Sequence, residues 1–417
     1  MMNQIIIQYQ RFLSKVEKQT HTNIQKIAKQ WSWLVIGKFI GSVSALLLAS
    51  VYARYLLPEE YGTYKYILAV FSIIGVFTLL GMEDSSQRSI ARGLDRAFWD
   101  TLKLRIKFGS LTALCSFVIG LYYTLQGDST LGTIFLAATP FIVALNVVRH
   151  YNTILIGRQL FKEISINNTL IQIATAVTII ITVVLTSDLH WLIGAFFFTG
   201  IFFSSLGFVH TLKKHKLNNN PDPTAINYGK HMSLLGIVSI ATNQAAPLLL
   251  WHFLGPSELA IYAFALAAVV QLRGLFKLLT TTMAFPKLSK LKKSVLKTTL
   301  PRKILIAHGI TIPVACLLAL LIPYLYQILF PTYMESVIYA QAMTILLAFS
   351  PMRMYSTALM THGTPKSIHF YSIFTSITSL TSMIILIPIF GIWGVIYATI
   401  ITQSLCNIVI LLLFKRL

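Results

Sequence analysis

Charged residues are scarce in this chain of 417 residues, and acidic residues are the scarcest of them. Asp, Glu, Lys and Arg together make up 11% of the sequence, whereas soluble domains contain about 25%. Hydrophobic residues make up 55%, and the mean hydropathy is +0.71. This composition excludes an ordinary soluble domain and predicts an all-α protein that crosses a membrane many times.

The sequence also lacks the patterns of several kinds of reactive site. Cys115, Cys316 and Cys406 all lie within apolar runs, and their spacing is typical of neither a zinc site nor a disulfide framework. No phosphate-binding loop of the kind that holds ATP is present. We therefore expect no cofactor, no metal and no ATP-driven step.

Lysine and arginine outnumber aspartate and glutamate by 34 to 13, which gives a formal charge of +21. Such an excess can indicate nucleic-acid binding, but its distribution favours another origin, and we expect no nucleic-acid partner. The basic residues gather in alternate loops, while the remaining loops are short and carry only acidic charges. By the positive-inside rule, the basic loops and both termini are cytoplasmic.

Twelve apolar runs are each long enough to cross a hydrocarbon core of ~30 Å. Before them, residues 1–30 are polar and basic, with apolar residues at helical spacing. This pattern predicts an amphipathic helix on the cytoplasmic surface, and a frayed terminus is the alternative. The predicted spans are 32–56, 64–86, 105–125, 131–149, 164–186, 190–211, 231–253, 258–284, 304–329, 335–360, 368–388 and 391–414.

The chain contains a distant internal repeat. The pattern P-x-E-x-x-x-Y begins at Pro58 and recurs 198 residues later at Pro256. We expect two related six-helix bundles, at 31–212 and 231–417, joined by a cytoplasmic linker at 213–230. Because six spans return the chain to the same side of the membrane, both bundles have the same orientation.

Three cations lie within the predicted spans of the second bundle. Arg273 is near the middle of the eighth span, Lys277 follows one turn later on the same face, and Arg353 lies in the tenth. Such residues must face the bundle interior or a wet cavity, and a cationic cavity suits an anionic substrate such as a phosphate. A carboxylate partner or a side chain that reaches the membrane surface is the alternative. We favour a substrate role for Arg273 and leave both alternatives open for Lys277 and Arg353.

The first bundle holds further charged candidates. Arg54 and Lys65, with Lys38, lie nearer the ends of their spans, where a long side chain readily reaches the membrane surface. Glu83 and Asp84 form the acidic pair of the second span and could bind a coupling cation or proton. The alternative, which we favour, is that they pair with Arg88.

The seventh span contains polar and helix-kinking residues. Asn243 and Gln244 precede Pro247 by one turn, and a proline within a span frees a carbonyl and bends the helix. Interrupted helices mark substrate sites in many transporters. An ordinary packing kink is an equal alternative.

The sequence around these features resembles a known family. A-R-Y-L-L-P-E-E-Y-G-x-Y at Ala53 to Tyr64, L-G-M-x-x-S-S-Q-R at Leu80 to Arg88 and F-L-G-P-S-E-L-A-I-Y at Phe253 to Tyr262 are similar to polysaccharide-export flippases of the Wzx type. These proteins belong to the multidrug/oligosaccharidyl-lipid/polysaccharide (MOP) exporter superfamily. The resemblance covers the chain from Trp31 onward and departs from the family where Ala260 replaces its usual glycine.

The resemblance implies twelve spans around a central cavity in the inner membrane of a bacterium. It implies transfer of an undecaprenyl-pyrophosphate-linked oligosaccharide from the inner to the outer leaflet, for surface polysaccharides such as O-antigen or capsule. The lipid tail would leave between spans one and eight, flanked by Arg54 and Arg273. Membrane lipids and other membrane proteins of polysaccharide assembly are the implied partners.

Two other functions are compatible with the composition. A multidrug exporter for organic cations needs acidic residues at mid-depth, whereas the midplane charges here are arginines. A membrane enzyme that polymerises glycans normally needs a large external loop, and the external turns here are short. We therefore expect a transporter and not an enzyme.

Overall fold

The chain folds into a bundle of long antiparallel helices, in a computed structural model that describes residues 24–277, 288 and 293–417. Twelve helical segments in this part of the chain are long and apolar enough to cross a membrane, which confirms the predicted fold class. Most of the amphipathic segment predicted at 1–30 and the predicted end of the eighth span lie outside the described residues.

The first six spans form what we call the N-terminal half. Each connection on one side is a turn of a few residues, closed by a proline or by an Asp side chain that caps the next helix, as Asp128 accepts a hydrogen bond from the Leu131 amide at 2.9 Å. The helices are α1 (Ile24–Tyr55), α2 (Pro58–Ile74), α3 (Gly81–Ala91), α4 (Ala97–Leu125), α5 (Ser129–Val148), α6 (Asn152–Gly157), α7 (Phe161–Leu185) and α8 (Leu189–Lys214).

The remaining spans form the C-terminal half. Its first turn repeats the geometry of the first half, because Pro256 opens α10 as Pro58 opens α2. The helices are α9 (Ala225–Leu254), α10 (Pro256–Lys277), α11 (Lys293–Leu329), α12 (Ser336–Met343), α13 (Ile345–Ala348), α14 (Arg353–His362), α15 (Pro365–Phe390) and α16 (Ile392–Lys415).

Two spans expected to be continuous are broken. The second is interrupted after α2 by a 3-10 turn at Gly75–Thr78 and by Leu79, whose φ of 55° is left-handed. The tenth is interrupted by a 3-10 turn at Ser350–Met352. The seventh, in contrast, runs as one helix through Pro247, so its polar residues lie on an unbroken helix. Hydrophobicity identifies a span of sufficient length but does not report such local breaks.

The two halves touch at both ends of the bundle. At the side of the short turns, which we call the short-turn face, Gly62 on α2 lies directly against the Pro256 carbonyl, where a larger side chain would clash. At the opposite side, the basic face, Gly81 lies against the backbone of Met232 and Ser233. There the Ser85 hydroxyl also donates to the Ala225 carbonyl at 2.5 Å. The interior between these contacts contains the cavities described next.

Candidate functional site

Four neighbouring cavities lie around α1 and α10. We name them the C-half cavity, lined by Arg273 and Arg353 (about 470 Å³), the interface cavity, lined by Lys65 and Gln244 (about 440 Å³), the N-half cavity, lined by Arg149 and Asn168 (about 420 Å³), and the portal cavity, lined by Lys38 and Lys277 (about 320 Å³). Each cavity shares a wall residue with the next. Tyr262 lines the C-half and interface cavities, Ala45 the interface and N-half cavities, and Gln172 the N-half and portal cavities.

The C-half cavity brings together three residues singled out by the sequence. Arg273 from α10, Arg353 at the start of α14 and Asn243 from α9 line the same space. The 3-10 turn at Ser350–Met352 sets the direction of Arg353, because that residue directly follows the turn. Both arginines line the same space, and two cations in one cavity form an anion-binding arrangement when a ligand lies between them.

The interface cavity holds Lys65 and Gln244, which the sequence also predicted as candidates. The Lys65 ammonium lies 5.1 Å from the centroid of the Tyr61 ring, a distance typical of a cation–π contact. Gln244 is anchored to α2, since its Nε2 donates to the Ser72 hydroxyl at 3.2 Å. This amide therefore links a helix of each half.

The portal cavity lies between α1, α7 and α10. Lys38 and Lys277 line it from facing helices, so Lys277 belongs to this space and not to that of Arg273. The wall on the other side is fixed, because Gln172 on α7 donates to the Gly41 carbonyl of α1 at 2.8 Å. The gap between α1 and α10 is where the family resemblance places the exit of a lipid tail.

The N-half cavity contains a cation, Arg149, that the sequence analysis did not single out. Arg149 ends the apolar run of α5 and begins a 3-10 turn, and this turn directs its side chain inward beside Asn152, Asn168 and Gln172. Nothing in the local sequence separates Arg149 from the loop cations that follow it. Its position depends on the turn and on the packing of α7 and α8.

The sign of the charges is the same in all four cavities. Among the described lining residues, the charged ones are Lys38, Lys65, Arg149, Arg273, Lys277 and Arg353, and none is acidic. In the part of the chain that the structure describes, none of these six is in an ion pair with a carboxylate. Their positive charge is therefore available to a ligand.

Arg54 lies away from this group. Its side chain is exposed at the short-turn face, and Nη2 donates to the Ile328 carbonyl at the end of α11 at 3.0 Å. It lines none of the four cavities. Arg54 thus links α1 to α11, whereas Arg273 lies near the other end of α10.

The acidic pair is divided between two environments. Glu83 forms an ion pair with Arg105 at 2.7 Å, and not with Arg88, which lies over the Tyr228 ring. Asp84 is exposed. The pairing that we expected with Arg88 is replaced because the break at Leu79 turns Glu83 toward α4.

Arg105 is the centre of a buried polar network that the sequence analysis did not identify. Its side chain is fully buried, and its Nε donates to the Thr78 carbonyl at 3.3 Å. Its Nη1 lies 2.9 Å from Nδ1 of His150. Since a guanidinium can only donate, Nδ1 is the acceptor and Nε2 carries the imidazole proton, which it donates to Thr101 Oγ1 at 3.1 Å. The network joins the broken span to α4 and to the 3-10 turn at Arg149–Tyr151 that follows α5.

The chain matches one protein family over more than half of its length. Residues 27–292 match the family described as "Polysaccharide biosynthesis protein". No functionally curated protein matches the sequence.

Solved structures agree in fold over almost the whole chain. The lipid II flippase MurJ in its inward closed conformation has a TM-score of 0.67 at 16% identity, covering 90% of this chain and 86% of that one. An inward-facing multidrug resistance MATE family transporter of the MOP superfamily gives 0.63 at 15%, with 92% and 97% covered. A MOP superfamily transporter from Pyrococcus furiosus, described as having a binding pocket of reverse polarity, gives 0.64 at 17%, with 93% and 95% covered. The chain therefore belongs to the polysaccharide biosynthesis protein family and has the fold of the MOP superfamily transporters.

Proposed function

We propose that this protein is a flippase that moves an undecaprenyl-pyrophosphate-linked oligosaccharide from the inner to the outer leaflet of a bacterial plasma membrane. The observation that carries the proposal is the charge of the four cavities, which are lined by six cations and, among the described residues, by no carboxylate. A pyrophosphate is a compact anion whose oxygens accept hydrogen bonds from such groups.

The main barrier to flipping is the loss of water around the charged head group. Even one charged side chain at the centre of a bilayer costs at least ~2.5 kcal/mol. Cations at several depths replace part of the lost hydration, from Lys38 and Lys277 at the portal to Arg273 and Arg353 in the C-half cavity. The polar amides and hydroxyls of the same cavities suit the uncharged sugars.

The lipid tail does not need to enter the bundle. The portal cavity lies between α1 and α10, and a tail held in that gap remains in the bilayer while the head group occupies the interior. Contacts between the halves at Gly62 and Gly81 then act as the two closures, and each must open in turn for alternating access.

The membrane potential favours the outward step. Moving one negative charge outward across an inside-negative membrane is favoured by ~2.3 kcal/mol per 100 mV. The potential also assists the return of the empty cationic cavity. We expect transport to slow when the potential is collapsed at a constant proton gradient, and unchanged transport would contradict this part of the proposal.

The proposal is tested in a deletion strain of the source organism, by extracting lipid-linked oligosaccharides and staining the surface glycan. We expect complete repeat units to accumulate inside and surface glycan to be lost. Native protein and Arg96→Gln, an exposed cation that lines none of the four cavities, should restore the glycan. Arg273→Gln should not restore it, although the protein reaches the membrane in equal amount.

Three results would refute the proposal. Normal glycan together with raised sensitivity to cationic drugs would indicate a multidrug exporter. Single repeat units at the surface without long chains would indicate a polymerase. Equal rescue by Arg273→Gln and Arg96→Gln would show that the cavity charge is not used.

A further inference from the structure

The basic faces of the two halves differ in how their cations are balanced. After Asp222 the chain contains 14 Lys and Arg residues but only two acidic residues, Glu258 and Glu335. Both belong to turns of the short-turn face, where α10 and α12 begin. The basic face of the C-terminal half therefore has no Asp or Glu side chain from its own sequence.

The N-terminal half provides an internal comparison. Several of its basic-face cations are paired with carboxylates, as Arg158 is with Asp95 at 2.7 Å and Lys214 with Glu163 at 2.9 Å. Every ion pair in the described part of the chain lies at or before Asp222. The positive-inside rule accounts for cations on this face in both halves, but not for the presence of carboxylate partners in only one of them.

The unpaired cations gather where two helix ends meet. The Lys297 ammonium on α11 donates to the Lys415 carbonyl at the end of α16, at 3.1 Å. Below this contact, Leu296, Leu300 and Ile304 pack with Phe414 in a buried apolar cluster. The exposed cations around that cluster, which we call the C-half basic patch, are Lys293, Lys297, Arg302, Lys303, Lys415 and Arg416.

The patch lies at the depth of lipid head groups. With 37 residues, α11 is ~55 Å long, far more than a hydrocarbon core of ~30 Å requires. Directly after Arg302 and Lys303, the side chains of Leu305 and Ile306 are 73% and 61% exposed. Exposed apolar side chains belong in the hydrocarbon, so the cations one turn earlier lie at its boundary.

We propose that the C-half basic patch binds anionic phospholipids of the leaflet on the basic face. A cluster of four to eight cations next to a span is the arrangement that attracts anionic lipid. The apolar residues that follow the cations receive the acyl chains, and the cations receive the phosphates. The N-terminal half, where carboxylates balance part of the positive charge, binds such lipid more weakly.

The test compares two triple variants with equal loss of charge. In the patch variant, Lys293→Gln, Lys297→Gln and Arg302→Gln are combined. In the control, exposed cations of the N-terminal half are changed, namely Lys103→Gln, Lys107→Gln and Lys213→Gln. Full-length protein in a neutral detergent is titrated with phosphatidylglycerol or with phosphatidylcholine, and bound lipid is counted by native mass spectrometry.

We expect native and control proteins to prefer phosphatidylglycerol and the patch variant to lose most of that preference. One cation near an anionic surface contributes about fivefold in affinity, so three should contribute more than tenfold, and added salt should reduce the difference. If the patch variant does not fold, the pair Lys303→Gln and Arg416→Gln replaces it, since both side chains are exposed.

The proposal is overturned by any of three results. Equal losses in the patch variant and the control would show that only total charge matters. Equal binding of the two lipids by native protein would remove the lipid preference. Binding of soluble polyglutamate to the patch, without a preference for phosphatidylglycerol, would indicate an acidic protein partner instead.

Discussion

Replacement of Glu83 by glutamine should destabilise the protein strongly, although Glu83 is half-buried and its neighbour Asp84 is exposed. The carboxylate is the only acidic partner that the described structure provides for the fully buried Arg105. Without it, the guanidinium keeps the Thr78 carbonyl and His150, both of them neutral. A buried charge without its counter-ion is a large penalty in a folded protein.

The magnitude follows from the burial of the two partners. Removal of one member of a buried ion pair costs about 3–5 kcal/mol. The Glu83 side chain is 35% exposed while that of Arg105 is 0% exposed, so solvent screens the carboxylate in part and we expect the lower end, about 3 kcal/mol. Asp84→Asn, which changes the adjacent exposed charge, should stay within about 0.5 kcal/mol.

The assay is unfolding of purified protein in detergent, followed by circular dichroism with heat or denaturant. Glu83→Gln should unfold several degrees below native protein and Asp84→Asn at the native temperature. The double variant Glu83→Gln with Arg105→Met should recover part of the loss, because the uncompensated charge is gone. Equal destabilisation by the two single variants, or no rescue by the double variant, would refute this account of the network.

Two further predictions concern the contacts between the halves. Gly62→Val should prevent closure of the short-turn face, because any side chain at this position meets the Pro256 carbonyl, and cysteine labelling from that side should become faster. Asp222, in the linker, accepts hydrogen bonds from Thr224 and from Ser89 at 2.8 Å, and the first of these bonds contributes most to holding its pKa below the ordinary value. Its contribution to the stability of the folded protein is thus fully present above about pH 4 and is lost as the pH falls through the lower folded-state pKa. We call this fall in the unfolding temperature at low pH the acid limb. Asp222→Asn should lower the unfolding temperature at neutral pH and make the acid limb less steep.

Each of these has a matched control. Gly194→Val adds the same side chain at a position with no atom within 4 Å of the new Cβ, and labelling should not change. Asp100→Asn removes a partly exposed carboxylate with a single ion-pair partner at 3.9 Å, and the acid limb should remain. Labelling that changes equally in both glycine variants, or an acid limb that is unaltered in Asp222→Asn, would contradict the assigned contacts.

The number and length of the spans were readable from the sequence because both depend on local properties. A run of about 20 apolar residues crosses the bilayer whatever its neighbours are, and a proline after a short turn starts a new helix at Pro58 and again at Pro256. The family resemblance depends on the same local motifs. The orientation of the termini stays a prediction from the distribution of Lys and Arg.

Which charges meet was decided by the tertiary structure alone. Arg273 and Arg353 lie 80 residues apart in sequence yet line one cavity, and Arg54, which the family resemblance places beside the exit, donates to the Ile328 carbonyl of α11. Arg149 turns inward and Glu83 turns toward Arg105 because short 3-10 segments break the helices beside them. A local pattern shows that a charged residue lies within a span, but its partner is set by how the helices pack, and in a membrane the packed arrangement must give each such charge a counter-ion, a polar network or a wet cavity.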